Sequence, residues 1–307
     1  MVARPQSGVC AESSLHGLVL LCQLRNSHIA SLRLKLAKMP SLAKSLDNRF
    51  SESLLSVVTA VGARGWERLG CGAKPPGLAV FPRFANSLHG FAQQQFDLVF
   101  IIRSDRVDAN FFAGRVLLEW FADDIELAGE YNLFHYLDNR TLLGFRCVAA
   151  AAHGRKRELV SLVEAPENPS WHRGAHLFLQ HYLLDVERWQ GLSVEQQEQV
   201  VGRRKMNGER LATTLPSHAD KTEQGTHPRV VWQQMPSASM RSQGHVDLLW
   251  SHDVEALTGF LRTRAEEDED GFSDPLLEYQ SNTLSGAFFA PPEHWFTSLT
   301  IEQNAPD

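Results

Sequence analysis

The residue whose setting most suggests chemistry is His218. It follows an apolar strand over residues 174–186 and a helix opened by Ser193 with Gln196 three residues on, a capping box. The turn Gly202-Arg203-Arg204-Lys205 comes next, then Ser217-His218, then a strand ending in Met235-Pro236. An imidazole presented from a loop between packed elements is how a chain offers an axial ligand to iron. The dipeptide itself carries little, because Ser27-His28 and Ser251-His252 repeat it among 13 histidines. Arg203 has the fork geometry that pairs a carboxylate through two hydrogen bonds. It stands equally as a cation facing the dipole at a helix C-terminus.

The elements that must position these groups alternate along a chain of 307 residues. Residues 15–24 read as a buried strand, and 27–46 as a helix that Pro40 must kink or split. Strands follow at 54–61 and 96–102. Residues 107–121 have helical spacing, with Ser104 or Asp105 placed to cap. A strand at 125–136 completes the order strand, helix, strand, strand, helix, strand, the ferredoxin-like arrangement. After the polar break at Asp138-Asn139-Arg140 the pattern recurs: strands at 174–186, 229–234, 245–250 and 285–290, with helices from Ser193 and over 252–267. The expectation is α+β: two ferredoxin-like modules with antiparallel sheets, residues 1–140 and 141–307, of the dimeric α+β barrel type.

Composition narrows the class. Hydrophobic residues make up 43% and charged residues 21%, with a net charge of −6. That balance is ordinary for a globular chain and gives no general affinity for nucleic acid or anionic membrane. The apolar runs are of strand length, short of a membrane-spanning helix, and no signal peptide is legible at the start. The four cysteines have no CxxC spacing, so the reading is free thiols in a reducing cytoplasm.

This ordered set resembles the dye-decolourising peroxidase family over nearly the whole chain. The residues that carry the resemblance include Phe96-Asp97-Leu98-Val99, Leu142-Leu143-Gly144-Phe145, residues 178–189 and 192–205, Ser217-His218, Met235-Pro236 and residues 286–291. The resemblance implies haem b in the second module, with His218 as proximal ligand to the iron. It implies a carboxylate before the final strand that takes the other ring N–H and strengthens the ligand. Glu278 stands at the matching place; as a plain surface carboxylate it would have no such part. Arg203 is then a candidate for a haem propionate.

The distal side departs from the family. A peroxide oxygen must lose a proton that later reaches the departing oxygen, and a cation should stabilise the developing charge. The family's aspartate falls on Cys147, in Gly144-Phe145-Arg146-Cys147-Val148. A second alignment puts Glu164 there, at the cost of two compensating gaps. The family's arginine falls on Trp232, with Gln234 as the polar neighbour on the same strand face. A thiol is a poor proton shuttle near neutral pH, and an indole has one N–H and no charge. An indole beside haem can carry an oxidising equivalent; its plainer part is packing.

The expected activity is therefore hydrogen-peroxide-dependent oxidation of small aromatic donors, weakened by Cys147 and Trp232. The alternatives are an impaired haem-binding protein for storage, sensing or other haem chemistry, or a structural protein that kept only the fold. A thiolate of Cys147 as sixth ligand is a minor variant. The family implies a homodimer or larger homo-oligomer. The polar tail from Thr300 is expected to fray and carries no visible shell-targeting signal.

Overall fold

The computed structural model describes all residues except 1–2, 26–28, 71, 86, 88, 148–151, 169, 224–227 and 301–307. The start of the first helix at Ser27, most of the alanine run after Cys147 and nearly all of the tail therefore lie outside the described residues.

Eight strands form one sheet: β1 (His16–Leu24), β2 (Ser56–Gly62), β3 (Leu98–Ser104), β4 (Ile125–Phe134), β5 (Ala175–Leu184), β6 (Val231–Ala238), β7 (Gln243–Ser251) and β8 (Gln280–Ala290). Their order is β4-β1-β3-β2-β8-β5-β7-β6. Each half repeats one pattern, fourth-first-third-second, and every ladder is antiparallel. That is the two-module ferredoxin-like arrangement the sequence pattern implies. The halves join where β2 meets β8, through only Val61↔Phe289 and Gly62↔Phe288. The outer strands β4 and β6 also pack together, so the sheet curls round an interior.

Alternation along each strand separates that interior from two outer layers. On β1, Val19 and Leu21 point inward, where they join Leu177 and Leu179 of β5 and Val246 and Leu248 of β7. Leu18, Leu20 and Cys22 point outward beneath the helices of the first half. On the second half, the helix Val254–Ala265 lays Leu257, Phe260 and Leu261 over the outer face of β5, β6 and β7.

Several boundaries differ from the sequence reading, each for a local reason. Pro40 splits the first helix into Ile29–Ala37 and Met39–Arg49, because the ring is accommodated in the first turn of a new helix. Leu54 is not in a strand; it is exposed and left-handed, and β2 starts at Ser56. Neither Ser104 nor Asp105 caps the helix Val107–Trp120: Ser104 Oγ accepts from the Arg106 N–H, and Asp105 accepts from the Leu15 N–H. Strand β6 runs on through Pro236, which an edge strand tolerates. Among the described residues no helix is long and apolar enough to cross a membrane.

Candidate functional site

His218 is not in an open loop. It is the first residue of a one-turn helix, His218–Thr222, whose N-cap is Ser217. Ser217 Oγ accepts from the Asp220 N–H, and the Asp220 carboxylate accepts from the Ser217 N–H at 2.8 Å. The preceding helix, Val194–Val201, has the expected capping box and ends at Gly202, φ 78°. A Cβ on Gly202 would lie 2.1 Å from Ser217 Oγ. Glycine is thus required twice there, for its backbone conformation and for the close approach of Ser217. The turn sets the cap, and the cap sets the imidazole.

The ring is then aimed by a carboxylate. His218 Nδ1 lies 2.9 Å from Asp274 Oδ2. Asp274 is fully buried and also accepts from Arg264 Nε at 2.9 Å, while its other oxygen caps the turn Pro275–Tyr279 through the Leu276 N–H. Burial alone would raise this carboxyl. The His218 ring and the Arg264 guanidinium outweigh it and hold Asp274 well below the usual carboxylate range. With Nδ1 engaged, Nε2 is the ring nitrogen left to act as a ligand. Glu278, the sequence candidate for this partner, is exposed and pairs with Arg188 at 3.1 Å. It does not reach His218; Asp274 holds that place.

His218 opens onto a cavity of about 330 Å³. Leu142, Leu143, Phe145, Leu184, Val201 and Leu276 give it apolar walls. Arg203 and Arg210 line one side. Arg203 donates to the Gly208 carbonyl at 2.8 Å and pairs with Glu223; Arg210 pairs with Asp220 and Glu223. Two guanidiniums are therefore held at the cavity by carboxylates, rather than left as a helix-end charge.

The sheet supplies the facing wall. Trp232, Gln234 and Pro236 of β6 line it with His245 of β7. The register Trp232↔Leu249, Gln234↔Asp247 and Pro236↔His245 puts these side chains on one face. Trp232 is 7% exposed, and its indole centroid lies 5.9 Å from that of His218, edge to face. Phe260 packs on it at 5.7 Å, and the Arg264 guanidinium lies 5.6 Å from its ring. It is thus embedded between sheet and helix, and its N–H has no partner. Gln234 Nε2 donates to Asp247 Oδ1 at 3.1 Å.

Cys147 lines the same cavity beside Gln234, half-buried. Glu164 does not; it is exposed and pairs with Arg173 at 3.2 Å. Among the described residues no group of three or more His, Cys, Asp or Glu is arranged to hold a bare metal ion. An imidazole fixed by a carboxylate and facing apolar walls suits a metal that brings its own equatorial ligands.

Sequence reasoning missed Asp274, Arg264, Arg210, His245 and Asp247. Asp274 had a signal in Asp-Pro ahead of the last strand, an N-cap pattern. His245 and Asp247 had one in their i, i+2 spacing on a strand.

The comparisons with known proteins agree with this geometry. Residues 19–135 match the family described as Dyp-type peroxidase, N-terminal, and residues 138–295 the one described as Dyp-type peroxidase, C-terminal. A dye-decolorizing peroxidase of Mycobacterium tuberculosis is 28% identical over 83% of this chain and 79% of its own length. One from Brevibacterium linens is 27% identical over 89% and 77%. Among solved structures, DyPB from Rhodococcus jostii superposes with a TM-score of 0.87 at 26% identity, covering 97% of this chain and 99% of its own. A variant of that protein, in complex with heme, superposes at 0.86 with 25% identity over 96% and 99%. The chain therefore belongs to the DyP-type peroxidase family, oxidoreductases whose chemistry is haem-dependent and peroxide-driven.

Proposed function

We propose that this chain binds haem b through His218 and oxidises small aromatic donors with hydrogen peroxide. The observation that carries the reading is the fixed imidazole: Nδ1 held 2.9 Å from buried Asp274, facing an apolar cavity. The residues present fit the group. Apolar walls suit a macrocycle, Nε2 of His218 suits its iron, and Arg203 and Arg210 at the rim suit its propionates. Haem supplies the two-electron exchange with peroxide and the later one-electron steps with donors.

The protein's own contributions follow from the side chains. Asp274, kept ionised by the His218 ring and by Arg264, holds that ring in place and makes it a stronger ligand. The leucine and phenylalanine walls exclude water. Cys147, Trp232 and Gln234 occupy the distal positions, with no carboxylate at Cys147 and no cation at Trp232. We infer weak turnover from that loss. A second reading, a haem-binding protein without efficient peroxidase activity, is favoured by the burial of Trp232 against His218 and Phe260. We also take residue 140 as the module boundary, and place the chain in a reducing cytoplasm as a homodimer or larger ring.

Protein expressed with a haem precursor should show a Soret band that His218→Ala abolishes. It should oxidise a dye with peroxide faster than free haem does. Absence of a Soret band after reconstitution removes the haem reading, and a band without turnover leaves the second reading.

A further inference from the structure

Three guanidiniums line the cavity, those of Arg146, Arg203 and Arg210, against one carboxylate, that of Glu223. Arg203 and Arg210 are already met, by Glu223 and Asp220. Arg146 is not: among the described residues no carboxylate pairs with its side chain. It is also exposed. An exposed cation in the cavity lining stands where the cavity opens to solvent.

Local structure holds Arg146 in that place. Its backbone bridges to Arg140 across the turn that Gly144 makes at φ 88°. Arg140 donates to the carbonyls of Gly144 and Lys205 at 2.8 and 2.9 Å, which ties this turn to the one after the helix Val194–Val201. The Arg146 stem lies along Gly208, where an added Cβ would be 3.4 Å from its Cδ and 3.5 Å from its Cβ. Two neighbouring cations also have no carboxylate partner among the described residues. Arg140 gives its donors to carbonyls, and Lys205 Nζ reaches Gln197 Oε1 at 2.6 Å and lies 5.6 Å from the Phe145 ring. Glu209, on the same turn, pairs with none of the three. Three cations thus meet beside the cavity with no counter-ion from the described residues.

We propose that Arg146 receives the acidic group of the aromatic donor, so that this chain prefers donors carrying a carboxylate or a sulfonate. The inference rests on the haem reading above, which gives the two propionates to Arg203 and Arg210 and leaves Arg146 to the donor. A guanidinium takes such a group through two parallel hydrogen bonds. The chain carries −6 overall, so its long-range field repels an anion, and the attraction comes from this cluster at short range. Leu142 and Phe145 line the cavity beside Arg146 and give the donor's ring an apolar surface. Met206, 86% exposed and two residues before Gly208, adds a thioether for contact with an aromatic ring. Arg146 sets which donor is held and takes no part in the peroxide step.

The test uses ferric holoprotein and a matched pair of ligands, naphthalenesulfonate and naphthol, titrated by calorimetry. The parent should bind the sulfonate more tightly than the naphthol, by a margin that shrinks as salt rises. Arg146→Ala should weaken the sulfonate about tenfold, the low end for charge-assisted hydrogen bonds. Arg146→Glu should weaken it further, and Arg146→Lys should keep part of the affinity. In turnover, KM for a sulfonated dye should rise relative to KM for a neutral phenol, with kcat held. Arg188→Ala, which removes an exposed arginine paired with Glu278, should leave both titrations unchanged. Equal sulfonate affinity in the parent and in Arg146→Glu, with the Soret band intact, overturns the proposal and leaves the haem reading standing. Weakened haem binding in Arg146→Ala and Arg146→Glu also overturns it, because the arginine then serves a propionate. Failure of the unsubstituted protein to give a Soret band overturns both readings.

Discussion

Asp274 Oδ2 stands 2.9 Å from His218 Nδ1 and an equal distance from Arg264 Nε. One carboxylate oxygen thus orients the candidate ligand and neutralises a buried cation. Asp274→Asn should weaken haem binding by roughly 10–100-fold, the usual cost of losing such a partner. It should also destabilise the fold by about 3–5 kcal/mol, because buried Arg264 loses its hydrogen-bonded charge partner and keeps only Asp247 at 3.7 Å. Haem titration and chemical denaturation measure the two losses separately.

Glu278→Gln is the matching control. Its pair with Arg188 is exposed on both sides, and such pairs contribute about 0–1 kcal/mol. Haem affinity and the denaturation midpoint should stay within error of the parent. A large loss of haem would restore Glu278 to the site.

Gly202→Ala acts at a distance. The added methyl group meets Ser217 Oγ in a left-handed backbone, which strains any other residue by about 1–2 kcal/mol. The cap on the His218 helix should shift, lowering haem affinity although no cavity residue changes. Alanine at Gly259, where a Cβ meets nothing within 4 Å, should leave haem affinity unchanged.

Cys147→Asp alone should raise peroxide reactivity by roughly 10²–10⁴-fold, the worth of one positioned general base. Adding Trp232→Arg should bring roughly 10²–10³-fold, the worth of one group that stabilises developing charge. The same change puts a second guanidinium where Arg264 already lies 5.6 Å from the indole ring. Activity and melting temperature should therefore move in opposite directions, as stopped-flow and thermal unfolding would register.

Acid should weaken the fold in two stages. His176 is 4% exposed on β5, and burial lowers its proton affinity to a pKa of about 4. Unfolded, the same ring takes a proton near pH 6.5, so the unfolded chain binds more protons below that value. Stability is full above pH 6.5 and falls as pH drops toward 4, by roughly 2–3 kcal/mol at pH 4.5. Asp274 behaves as a depressed carboxylate: its contribution is full above its ordinary range and is lost only as pH falls further. Denaturation series at pH 7 and 4.5 on the parent and His176→Phe should show a flatter acid slope in the variant.

Much of the framework was legible because periodicity and caps are local signals. Ser193 with Gln196, the order of strands, and Gly202 ahead of Ser217-His218 all read correctly as pattern. What failed was long-range pairing. Glu278 and Asp274 stand four residues apart, and only the cap geometry of the turn decides which one points inward. Arg264 looked like one more cation on a helix, yet it is buried against Asp274 and Tyr182. His245 and Asp247 were absorbed into an apolar strand, since neighbours such as Val246 and Leu248 dominate the pattern.

The interior formed by Val19, Leu21, Leu177, Leu179, Val246 and Leu248 draws on both halves of the chain. Neither half can hide those side chains by itself, and the two-residue ladder between β2 and β8 is too short to hold them together without that shared oil. The second half, cut out as a minimal haem carrier, should aggregate rather than fold. For anyone re-engineering this scaffold, the smallest functional unit is both modules together.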